Sequence, residues 1–126
     1  MQTIEFPQKD WARALDEFSA IHEGWLVSLE LLAPSFGAQP EIRDLPLLGI
    51  TAEPDTRDPT ITIAAARSAG DHITHTIHSP TRVRLERTED GADVALQIES
   101  AEGTAAILRF RAVALPETVD GVVGER

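Results

Sequence analysis

The chain has 126 residues, 21 acids against 11 bases for a formal net charge of −10, and no cysteine. That length suits one domain over 1–126, with a core that needs no covalent staple. The missing cysteine excludes disulfides, thiolate chemistry and iron–sulfur clusters, and the acidic balance argues against DNA and anionic membranes as partners.

The opening residues, Met1-Gln-Thr-Ile-Glu-Phe-Pro7, have neither the basic nor the apolar region of a signal peptide, so a cytoplasmic location is expected. Trp11, Ala14, Leu15, Phe18 and Ile21 recur at i, i+3, i+4, i+7 and i+10, which predicts an amphipathic helix over about 8–22. Pro7 suits its first turn, Arg13 can pair with Glu17 one turn on, and Gly24 offers a left-handed stop.

Everything after Gly24 reads as strands and turns. Trp25–Leu32 is apolar on both faces, Glu41–Ala52 is interrupted at Pro46, and Glu53–Pro59 is a loop. Thr60–Arg67 is a strand and Ser68–Asp71 a turn. His72–His78, Thr81–Glu86, Asp93–Ser100 and Thr104–Arg111 follow, with hairpin turns at Glu89-Asp90-Gly91 and Glu102-Gly103. Residues 112–126 read as an extended segment, whose apolar stretch Val113–Val123 suits packing on a neighbouring subunit. The predicted class is α+β. An N-terminal helix precedes a mostly antiparallel, strongly curved sheet of about seven strands within about 25–111, closing as a small Sm-like or SH3-like barrel.

The stretches Asp16-Glu-Phe-Ser19, His22-Glu-Gly-Trp25, Asp71-His-Ile-Thr-His-Thr-Ile77, Pro80-Thr-Arg-Val-Arg-Leu85 and Leu115-Pro-Glu-Thr-Val-Asp-Gly121 carry a likeness over nearly the whole chain. They resemble a family of short acidic bacterial proteins known as a domain of unknown function, and that resemblance implies no activity. The order of helix and strands is also similar to an Sm-like barrel of the RNA-binding type, although the hairpin Asp93–Arg111 exceeds that pattern.

Histidines recur every third residue in Asp71-His72-Ile-Thr-His75-Thr-Ile-His78. As a string this invites a metal, but strand alternation sends His72 and His78 one way and His75 the other, so no metal or cofactor is expected. His75, between Ile73 and Ile77, reads as a core or near-core histidine able to respond to pH. Arg82 and Arg84 share one strand face, and Arg109 and Arg111 share another. Were those strands neighbours, the four guanidiniums, with His72, could bind a small anion. Pairing with Glu86, Gln97 and Glu99 is the competing use.

No Gly-x-Ser-x-Gly, phosphate loop or tyrosine is present, so no catalytic residue is named. The expected role is a non-enzymatic interaction or self-assembly domain, with a protein partner or a second copy. A small anionic ligand, or RNA on an Sm-like surface, are the alternatives.

Overall fold

Pro7 separates a first strand, β1 (Gln2–Phe6), from a 3-10 turn at Gln8–Asp10 that runs directly into helix α1 (Trp11–His22). The computed structural model describes residues 1–111, so the segment expected at 112–126 lies outside the described residues. Gly24, at φ 87°, takes the left-handed conformation that stops the helix, and Arg13 reaches Glu17 at 3.4 Å. The strands that follow are β2 (Leu26–Ala33), β3 (Gly37–Glu53), β4 (Thr60–Ala65), β5 (Ile73–His78), β6 (Pro80–Arg87), β7 (Asp93–Ser100) and β8 (Ala105–Arg111).

They form one sheet in the order β1-β6-β7-β8-β2-β3-β4-β5, antiparallel at every step. This corrects the expected seven-strand barrel. There are eight strands, a strand precedes the helix, and the sheet stays open between β1 and β5. The extra strand, β1, is exposed along nearly its whole length, so it carries almost no alternation to read. It is a strand because β6 pairs with it, from Gln2 opposite Arg87 to Phe6 opposite Val83.

The 17-residue β3 joins the two halves of the sheet. Gly37–Pro46 pairs with β2, and Leu47–Glu53 pairs with β4. Pro46 sits at the changeover, where its missing N–H costs little, and its carbonyl accepts from Ala66 N–H. Inward residues of both halves, including Leu29, Ile50, Ile61, Ile63, Leu85, Leu96, Ile98 and Leu108, meet in one core with Trp11, Leu15 and Phe18.

The buried face of α1 is Trp11, Leu15, Phe18 and His22, whereas Ile21 is 71% exposed. The stripe therefore ends on a histidine one position later than hydrophobicity alone predicts. Ser19 fastens α1 to β3. Its Oγ accepts from Ile50 N–H at 2.7 Å, and its hydroxyl hydrogen is shared between the Leu15 and Ile50 carbonyls.

A second 3-10 turn, Ala69–Asp71, launches β5. The Asp71 carboxylate accepts from Ser68 N–H at 2.7 Å and Arg67 N–H at 2.9 Å. The Ser68 amide first, with Arg67 adding to it, holds this carboxyl below its ordinary value. The contribution to stability is therefore whole above the ordinary aspartate range and fades as pH falls through the lowered value. In an acid titration followed by NMR, the Arg67 and Ser68 amide signals are expected to move with a midpoint below that of an unstructured aspartate. An unshifted midpoint would disprove the cap.

Candidate binding site

The free edge of the sheet at β5 and the hollow beside it are the best-formed candidate site. β5 pairs with β4 over six residues in unbroken register, Thr60 opposite His78 through Ala65 opposite Ile73. Its other edge has no strand partner among the described residues. The inward side chains of β4, Ile61, Ile63 and Ala65, are fully buried. Those of β5 opposite them open progressively, with Ile77 buried, His75 half-buried and Ile73 exposed.

His75 and Ile77 thereby line a cavity of about 220 Å³. Leu31 and Ala106 add apolar lining, as does Phe36 from the β2–β3 turn, and Ser100, Glu102 and Thr104 supply polar groups. Ser100 donates its hydroxyl hydrogen toward the Thr104 carbonyl at 3.3 Å, leaving its oxygen free to accept. His75 forms no hydrogen bond, and Glu102 no ion pair, with any described residue.

The other residues singled out from the sequence lie elsewhere. His72 follows the second 3-10 turn and is exposed, as is His78. The three histidines are not gathered, and no group of three or more His, Asp or Glu among the described residues is placed to hold a metal ion. The arginines stand on β6 and β8, which β7 separates. Each already has a carboxylate: Arg82 with Glu5 at 2.9 Å, Arg84 with Glu99, Arg109 with Glu30 at 3.4 Å, and Arg111 with Asp44 at 3.3 Å. The Arg82 hydrogen bond holds the Glu5 carboxyl below its ordinary range, and Glu5 in turn raises Arg82. Arg84 Nε is buried without a hydrogen-bond partner among the described residues.

A second polar centre went unread in the sequence. His22 is 2% exposed, with Nδ1 2.8 Å from the Phe18 carbonyl oxygen and Nε2 2.9 Å from Asp93 Oδ2. The other Asp93 oxygen takes Arg87 Nε at 2.7 Å. The imidazole stacks on Phe18 at 4.0 Å and meets Trp25 and Phe110 edge-on or tilted. Its closed surroundings make it a structural joint between α1 and the β6–β7 hairpin. The signal was available: position 22 continues the spacing 11, 15, 18.

The model of a family of unknown function, DUF5335, matches residues 2–118. The chain belongs to that family. An uncharacterized protein of Aquifex aeolicus (strain VF5) is 32% identical over 118 residues, which is 93% of this chain and all of the relative. No solved structure matches, so the Sm-like likeness gains no support, and the open eight-stranded sheet argues against it. No helix among the described residues is long and apolar enough to cross a membrane.

Proposed function

We propose that this member of the family is a self-assembling interaction domain, joined to a second copy through the free edge of β5. One observation carries the reading. Ile73-Thr74-His75-Thr76-Ile77 reads the same in both directions, and it occupies an unpartnered, regularly paired edge. A two-fold interface requires a surface complementary to itself, so that residue i meets j and j meets i. Antiparallel pairing centred on His75 satisfies this, with Ile73 facing Ile77 and Thr74 facing Thr76. Such β-branched cross-strand pairs each contribute roughly 0.2–1 kcal/mol.

The rest of the chain supports this choice of edge. Soluble proteins guard exposed edges with lysine, proline, bulges or inward charge, and Ile73–His78 has none of these. The opposite edge, β1, carries Glu5 and is followed at once by Pro7. Two copies at −10 each repel, and contact is least costly on a strand without carboxylates.

Because the chain lacks cysteine, single introduced thiols test both the contact and its register. Under mild oxidation His75→Cys is expected to cross-link as a dimer, since facing residues place Cβ atoms about 4.5–5.5 Å apart. Thr74→Cys alone should cross-link poorly, but a mixture of Thr74→Cys and Thr76→Cys should give the heterodimer. Equal cross-linking at all three positions, or none at 75, sinks the proposal.

A further inference from the structure

We infer that the cavity beside β5 binds a small organic amine, with the ammonium group held at Glu102 and the carbon portion seated on Leu31, Ile77 and Ala106. The cavity is lined by residues of one protomer, His75, Thr76 and Ile77 of β5 among them, so its occupancy is tested separately from the contact between copies.

Its size limits the ligand first. About 220 Å³ is below the ~300–1,000 Å³ typical of drug-sized ligands. At about 30 Å³ per water it has room for roughly seven waters, which suits a compact molecule with one ring or a short branched chain.

The polar lining then limits the chemistry. Its strongest polar group is an acceptor. Glu102 contributes a carboxylate that is in no ion pair among the described residues, and Ser100 has directed its hydrogen at the Thr104 carbonyl. The Thr76 side chain lies on the other face of β5, its hydroxyl 3.4 Å from that of Thr62, and adds no donor to the cavity. The His75 ring has no hydrogen-bond partner among the described residues, and a neutral imidazole offers one lone pair beside its N–H. An ammonium group has three hydrogens to donate and nothing to accept, which matches this lining.

Phe36, 47% exposed at the wall, adds an aromatic face, which attracts cations through its quadrupole. An anion would meet Glu102 and the field of a chain at −10. Of the titratable groups lining the cavity, His75 and Glu102 are the two, one on β5 and one on the β7–β8 turn.

Three one-ring probes of similar size separate the effect of charge: benzylamine, benzyl alcohol and benzoate, each titrated into the full chain at constant ionic strength and followed by two-dimensional NMR. Benzylamine is expected to shift the Phe36, His75 and Thr104 signals saturably. Benzyl alcohol should bind about tenfold more weakly, the scale of a hydrogen bond to a charged group, and benzoate should leave these signals in place.

Glu102→Gln, on an exposed turn, should cost benzylamine about tenfold and leave benzyl alcohol unchanged. Thr74→Lys, which charges the edge of β5, should bind benzylamine like the parent. Failure of the contact between copies would therefore not affect this result. The proposal is overturned if none of the probes saturates at the cavity, if benzoate binds as well as benzylamine, or if Glu102→Gln has no effect.

Discussion

Replacing His22 with alanine is expected to destabilise the fold by about 3–5 kcal/mol, read as a lowered midpoint in urea unfolding. Two losses combine. The ring that fills the space among Phe18, Trp25 and Phe110 disappears, leaving a cavity in an interior that packs densely. The Phe18 carbonyl loses its side-chain partner, and Asp93 keeps only Arg87. An unpartnered buried polar group costs more than its hydrogen bond contributed when made. The pairing with Asp93 is separable from the packing by a double-mutant cycle. Once His22 is gone, Asp93→Ala should cost markedly less than in the parent chain. Additive effects, or a loss below about 1 kcal/mol for His22→Ala, would show that the joint is ordinary filling.

The second large effect is expected at Trp11. It is 1% exposed, and its indole Nε1 donates to the Phe6 carbonyl at 2.8 Å. The side chain therefore anchors the first turn of α1 in the core and also pins the end of β1. Trp11→Ala is expected to cost about 3–5 kcal/mol, within the range for a buried aromatic truncated to alanine. Trp11→Phe keeps most of the packing and deletes the N–H donor, so it should cost far less globally. Its specific signature is faster hydrogen exchange in β1 and in the β6 amides that face it, with the β7 and β8 amides unchanged. Equal exchange across the whole sheet would contradict this division of labour.

The helix was legible because its apolar spacing is long and its stop residue, Gly24, adopts the left-handed geometry that the sequence implied. The hairpins of β6, β7 and β8 were legible for the same local reasons, with alternation bounded by Gly91 and Gly103, both at positive φ. Closure was not legible. Alternation says which face of a strand is buried and nothing about which strand lies beside it. The neighbours of β8 are β7, adjacent in sequence, and β2, more than seventy positions earlier.

The same limit hid the cavity. His75 could be singled out on its own strand, but Leu31 comes from β2, Phe36 from the β2–β3 turn, and Glu102 and Thr104 from the β7–β8 turn, and they share no pattern in the chain. His22 was missed for a different reason. Hydrophobicity favoured Ile21, and a histidine with oxygens at both nitrogens is buried by its bonding, which residue type does not report.

The pairing of β1 with β6 also sets an order of assembly during synthesis. Gln2–Phe6 is made some eighty residues before its partner Val83–Arg87. At about 5–20 residues per second the leading strand waits roughly 4–16 s with nothing to join. Through that interval α1 and the β2–β5 portion can associate by shorter loops, which close at lower entropic cost. Of the described strands, the first to be made is among the last to find its partner.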